Sequence, residues 1–393
     1  MSSVFRTLFL LFLMSSFISC SSVKNEEKSN IDKGEAVTIK TEETTDEDVM
    51  KQIFKSVDDN QKREEYEKKI RNAPEGSPDA RYHEIKRIHI SGHENAYELN
   101  NLHKFTELEE IVLYAFNDLH LPDDITKLKK LKKLNLRSVT FASPNEFHKI
   151  GKLNTLEELE MSQVKNIDFL FTMSDMIGLK KIKISDINLN IFPEEVTEIA
   201  NLEELRIGWT KINRISKNIY KLKKLRVINF SNNYLKELPD TIVMLPNLEI
   251  LSLTHNEFEF IPSIVGSLVS LVELNCSENK KLSELKFSFD KLKKLKFLYI
   301  SHSNISVIPE SIGYAENLRK IDLKANKIEK IPYSMRLLIN LEYLDLSYNL
   351  IGNNDISMLG SLKNLEVLAL GRSNIPSENY KNLKSKLPKL KNK

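Results

Sequence analysis

One short pattern recurs through most of this chain at a nearly fixed step of 23 residues. It reads Leu225-x-x-Ile228-x-Phe230-x-x-Asn233-x-Leu235 and closes on Leu238-Pro239. The next unit supplies Leu248, Leu251, Leu253, Asn256, Phe258 and Ile261-Pro262. A later one supplies Leu318, Ile321, Leu323, Asn326, Ile328 and Ile331-Pro332. A period of this size marks stacked supersecondary units, each of which buries its apolar face only against its neighbours. Such a chain is expected to build a long surface, which favours binding over catalysis in a closed cleft.

The spacing has a physical reading. Apolar residues at relative positions 4 and 6 alternate as in a short strand that buries one face, and the Leu at position 1 closes the same core. Asn at position 9 sits where the chain turns, and its amide can pair backbone groups that the turn leaves open. Pro at position 15 blocks further strand pairing and starts a tight return, anchored by residues such as Ile242, Leu245, Leu292 and Ile312. Leu-x-x-Leu also fits a helical face. The full set of apolar positions, however, does not keep the helical period, and Asn and Pro punctuate each unit at matching places.

Position 1 falls at Ile85, Leu108, Leu131, Leu156, Leu179, Leu202, Leu225, Leu248, Leu271, Leu295, Leu318, Leu341 and Leu365. The step is 25 after Leu131 and 24 after Leu271 and Leu341. Over residues 82–376 these thirteen units resemble the leucine-rich repeat family of the bacterial Leu-Pro type. The resemblance implies an α/β solenoid: a horseshoe with a parallel β-sheet on its concave face and short helical or extended segments on its convex face. Position 9 departs from Asn at Val139, Val164 and Ile187, and holds Thr210, Ser303 and Ser373 elsewhere. The asparagine ladder is therefore expected to break in the N-terminal half, leaving that half less regular.

The chain has 393 residues, 41% of them hydrophobic and 29% charged, which one elongated domain accounts for. A formal charge of +3 argues against nucleic acid as an obligate partner. Its two cysteines are Cys20 and Cys276, so no disulfide framework is expected. Cys276 falls at position 6, where it should pack as a small apolar residue. Residues 1–19 read as a processing signal, with Arg6 ahead of the apolar run Leu8–Met14, which is too short to span a bilayer. Ending at Ser19-Cys20, with Phe17 where Leu is usual, they resemble a bacterial lipoprotein signal. That resemblance implies cleavage before Cys20 and lipidation of its thiol, a palmitate-bearing membrane anchor. An ordinary secretory signal cut near Ser19 or Ser22 is the alternative. Ser21, rather than Asp, after the cysteine leans toward the outer membrane. Residues 20–45 read as a polar tether, 46–81 as a helical N-terminal cap, and 377–393 as a C-terminal cap with a basic tail.

No nucleophile elbow, zinc-binding His-Glu-x-x-His or phosphate-binding Gly-rich loop occurs, so no catalytic residue, metal or cofactor is expected. His83, His89 and His93 lie close in sequence, but no fourth ligand accompanies them. The solvent-facing positions 3, 5, 7 and 8 carry more information. Phe297, Tyr299, His302, Tyr343 and Tyr348 occupy them in the last repeats and Trp209 in an earlier one, an expected ligand-binding set for a protein partner. Lys133 with Arg137, Glu158 with Glu160, Lys181 with Lys183 and Glu204 with Arg206 alternate in sign from repeat to repeat, as cross-strand ion pairs would. Lysine clusters at Lys127–Leu131, Lys221–Leu225 and Lys291–Leu295 offer an alternative: a structural or adhesive surface for anionic glycans or lipids. The expected product is a non-enzymatic envelope lipoprotein that binds a protein through its concave face.

Overall fold

The computed structural model describes residues 37–40, 85–92, 99, 102, 104–166, 176–352, 356–373 and 375–391. All belong to the unit Ala36–Lys393. The signal segment with Cys20, the cap helix expected over 46–81, His83 and His93 lie outside the described residues.

Each of the thirteen repeats contributes one strand to a single parallel sheet. The pairing register equals the repeat step, so position 4 of one unit faces position 4 of the next: Leu274↔Leu298, Leu298↔Ile321 and Ile321↔Leu344. Side chains alternate along each strand, so positions 4 and 6 enter the core while 3, 5 and 7 stay on the open face. From Ile88 to Leu344 the position-4 residues are at most 1% exposed. Cys276 is fully buried, and burial pushes its thiol well above the ordinary range, so it packs as an inert apolar group. The sheet does not close on itself, as the expected horseshoe requires.

Within the stretch read as a tether, Val37–Lys40 forms a strand that pairs in parallel with Arg87–Ser91 and makes the sheet fourteen-stranded. The sequence Val-Thr-Ile-Lys supplies β-branched residues that a strand accepts readily. Pairing also satisfies an edge that the first repeat would otherwise leave open.

The returns behave as the prolines suggest. Pro122, Pro193, Pro239, Pro262, Pro309 and Pro332 stand extended directly before five-residue 3-10 helices, from Asp123–Lys127 to Tyr333–Leu337. A proline there gives up an amide that the first helical turn would leave unpaired. Ser216 replaces proline in one unit, and its hydroxyl accepts the Asn218 amide at 3.0 Å. The 25-residue step accommodates an α-helical return, Phe147–Gly151. At the far end, helix Ser377–Ser385 buries Leu383, with Leu387 just beyond it, so the last repeat is covered.

Position 9 explains how repeats are stitched together. Asn256 donates from Nδ2 to the carbonyls of Phe230 (2.8 Å) and Leu253 (3.0 Å), and its Oδ1 accepts the Leu235 amide (2.9 Å). Asn279, Asn326 and Asn349 repeat this bridge between neighbouring units. In the N-terminal half, where Val139, Val164 and Ile187 break the asparagine ladder, the described strands keep their register while one return becomes α-helical. Backbone groups make the same connection: Thr140 N–H to the Phe116 carbonyl at 2.7 Å and Lys165 N–H to the Val139 carbonyl at 2.8 Å. The strands there are five residues long, as in Lys133–Arg137 and Glu204–Gly208. They shorten to three from Val227–Asn229 onward, where Asn233 begins the side-chain ladder and takes the position-6 carbonyls.

Candidate ligand-binding site

The open face of the sheet divides into two chemistries. Along position 3 of the first six repeats stand Arg87, Glu110, Lys133, Glu158, Lys181 and Glu204. Strand spacing places opposite charges within reach, and they pair: Arg87 to Glu110 at 2.5 Å, Lys133 to Glu158 at 3.6 Å and Lys183 to Glu158 at 2.9 Å, with Arg206 on Glu204. Each pair joins a more exposed cation to a largely covered carboxylate and contributes on the order of 1 kcal/mol. Apart from Lys181, the charged members of this column are answered within the sheet. His89 lies here, its imidazole held below the ordinary value by burial first and the Arg87 guanidinium second.

From the seventh repeat the position-3 column changes to Val227, Ile250, Glu273, Phe297, Lys320, Tyr343 and Val367. Phe297, Lys320 and Tyr343 face one another in register on adjacent strands. The Lys320 ammonium lies 5.1 Å from the Tyr299 ring and 4.7 Å from the Tyr343 ring, a cation held between two aromatics. Phe297, Tyr299 and Tyr343 are all half-buried, so each keeps part of its ring on the open face. Beside it, Asp322 and Asp345 share position 5 of adjacent repeats. Each accepts a backbone amide two residues on, Lys324 at 3.1 Å and Ser347 at 2.9 Å. Burial raises the Asp322 carboxyl above its ordinary range, and the Asp345 charge pushes the same way. The Tyr343 hydroxyl donates to Asp345 at 3.4 Å, and burial followed by the two carboxylates pushes its pKa up to about 12.

The remaining expected residues sit on the rim. Position 8 of twelve successive repeats is left-handed, with φ between 52° and 61°, and none of the twelve is a glycine. Trp209 (φ 53°), His302 (φ 54°) and Tyr348 (φ 58°) belong to this column. The bend lets each position-8 amide reach the next repeat, as His302 N–H does to the Lys324 carbonyl at 2.9 Å. His302 and Tyr348 adjoin the aromatic patch. Tyr348 is flanked by Lys324 at 5.6 Å and Arg372 at 5.1 Å, and His302 Nδ1 lies 3.9 Å from Glu278.

Trp209 stands apart. Three repeats, with Asn232, His255 and Glu278 at the same position, separate it from His302, and it lines a different groove of about 970 Å³. Five of the six expected residues therefore come together and the sixth does not. Sequence reasoning missed Lys320, Asp322 and Asp345. The repeat step carries their register against Phe297 and Tyr343, so the column itself is the signal that locates them.

The lysine clusters do not form a uniformly positive edge. Lys127 pairs with Asp124 at 2.8 Å, Lys130 with Glu107 at 2.5 Å and Lys221 with Glu198 at 2.5 Å. A shallow groove of about 560 Å³ beside them mixes Lys129, Lys132 and Lys180 with Glu109, Glu157 and Glu203.

Comparison with known proteins agrees with this architecture. The family described as Leucine rich repeat matches residues 200–258 and 293–351. Lumican of Homo sapiens is 36% identical over 107 residues, which is 27% of this chain and 30% of lumican. The aligned segment thus spans less than a third of that relative. An internalin (inlF) from Listeria monocytogenes superposes with a TM-score of 0.65 at 20% identity, over 80% of this chain and 87% of its own. The plant peptide hormone receptor RGFR1, solved in complex with RGF2, gives 0.60 at 24% identity over 78% of this chain and 50% of its own. At these identities the structural likeness is one of fold.

Proposed function

We propose that this leucine-rich repeat protein is a non-enzymatic, lipid-anchored envelope protein of bacterial type, which captures a protein ligand on the C-terminal half of its open sheet. The observation that carries the reading is the half-buried cluster of Phe297, Tyr299 and Tyr343 around Lys320, beside an N-terminal column whose charges are mostly paired within the sheet. Aromatic side chains with two rotatable bonds bury large areas at low entropic cost, which is why they anchor protein interfaces. His302 and Tyr348 form the polar rim of that patch. The plant receptor of the same fold, solved with RGF2, is consistent with ligand capture. The anchor rests on residues 1–20, where a short apolar run ends at Ser19-Cys20; several acyl chains on one cysteine would hold it firmly to a membrane.

The double substitution Tyr299→Ala with Tyr343→Ala should weaken capture of the partner in a quantitative pull-down by at least about 2 kcal/mol while the melting transition is retained. Undiminished capture would remove this face from consideration. Metabolic labelling with palmitate should mark the native chain and spare Cys20→Ser, and protease shaving of intact cells would report whether the repeats face outward. The competing reading, a polyanion held by lysine-rich edges, predicts binding that salt weakens steeply; the ion pairs along those edges disfavour it.

A further inference from the structure

The groove around Trp209 has a different chemistry from the aromatic patch. Its volume of about 970 Å³ is in the range of ligand sites. Trp209 and Tyr234, from adjacent repeats, line it while remaining 39% and 49% exposed, so two aromatic surfaces stand unspent. Gln163, Asp186, Asn188 and Asn232 line it with them. Gln163 is fixed at both ends: Oε1 accepts the Ser138 hydroxyl at 2.7 Å, and Nε2 donates to Asp186 at 2.7 Å. The side-chain amides of Asn188 and Asn232, the indole N–H and the Tyr234 hydroxyl have no hydrogen-bond partner among the described residues.

Several ligand classes fit this lining poorly. A polyanion needs clustered cations, yet Lys165 and Lys211 share the groove with Asp186. An acyl chain needs a deep apolar slot, and this groove is wide open with amides along it. A peptide that adds as a strand needs free backbone groups on an edge. Here the amides are spent between repeats: Asp186 N–H on the Gly208 carbonyl, Trp209 on Ser231 and Asn232 on Thr254. What the lining offers is ring faces beside unspent donors and acceptors, close to charge balance. A ligand that alternates C–H faces with hydroxyls matches both features.

We infer that this groove is a binding site for an uncharged oligosaccharide. A sugar ring stacks on Trp209, and Asn188, Asn232 and Tyr234 bond its hydroxyls. The site is independent of the protein-binding patch, and the two readings fail separately.

The chain contains a single tryptophan, so its emission reports this groove alone. The full chain is titrated with cellopentaose, maltopentaose, chitopentaose and mannopentaose. At least one should give a saturable change in emission. The double variant Asn188→Ala with Asn232→Ala, which keeps the reporter and alters two side chains outside the core, should bind that sugar about tenfold more weakly. Calorimetry on Trp209→Ala should show the same loss, with capture by the Tyr299 and Tyr343 face unchanged. An emission silent to all four sugars overturns the proposal. So does a response confined to a sulfated glycan or a peptide, or one that the double variant retains in full.

Discussion

Asp322 occupies position 5, between Tyr299 and Asp345, where earlier repeats of the same sheet carry asparagine. Asn229 and Asn275 each accept the amide two residues on, at 3.0 and 3.1 Å, and Asp322 makes the same bond at 3.1 Å. The hydrogen bond therefore does not require a charge, whereas burial beside Asp345 penalises one. A carboxyl whose folded pKa lies above its unfolded value contributes a cost at neutral pH, and that cost fades as pH falls through the folded pKa. Asp322→Asn should accordingly raise the melting temperature near neutral pH, with the gain vanishing in acid below the ordinary value of 3.8. Melts of both chains across that range decide it; a gain independent of pH would mean that the carboxylate is not the cause. The left-handed rim makes a second residue-scale point. A β-branched side chain is poorly tolerated there, so His255→Val should cost about 1–2 kcal/mol by chemical denaturation. His255→Gly, which removes the clash of Cβ, should cost nothing or stabilise.

At the scale of one repeat, the unit is held by its turn as much as by its strand. Replacing Asn256 with alanine orphans the Leu235 amide and removes one of the two amides on each of the Phe230 and Leu253 carbonyls, which keep Asn233 and Asn279. With about 1–3 kcal/mol for one buried group left unsatisfied, Asn256→Ala should cost about that much in urea unfolding. Ser303→Asn tests the same idea in reverse. It would seem to complete the ladder between Asn279 and Asn326, but the extra residue after Leu271 turns the Leu282 amide onto the carbonyl of Asn279 at 3.0 Å. No donor awaits an amide at 303, so Ser303→Asn should bring no measurable stabilisation. A gain above about 1 kcal/mol would show that Leu282 can switch partners. The serine at that position, which looked like a defect in the pattern, follows from the insertion in the preceding repeat.

At the scale of the whole solenoid, contacts run only between neighbours, and the core is a continuous file of leucines and isoleucines. Leu298→Ala opens a cavity at a fully buried position-4 site and should cost about 2–5 kcal/mol. Stability in such an array is nearly a sum over units and interfaces. Hydrogen exchange should therefore rise in the strands Glu273–Asn275, Phe297–Tyr299 and Lys320–Asp322 and leave Arg87–Ser91 unchanged. Uniform loss of protection along the chain would indicate a single cooperative block instead.

The parallel sheet, its register, the burial of Cys276 and the return segments after proline all follow from periodicity. Each depends on the identity and spacing of residues within one unit, and that unit repeats. The same periodicity placed Phe297, Tyr299 and Tyr343 on the open face. Tertiary structure alone decided the rest, because those features depend on what a neighbouring repeat supplies. It inserted Lys320 between the tyrosines, connected the repeats around Val139 and Val164 through backbone bonds, and set ion pairs among the lysines of the edge clusters. It also separated Trp209 from the residues it resembled in sequence. Three repeats of solenoid lie between Trp209 and His302, and a shared repeat position specifies a column, not a distance along it.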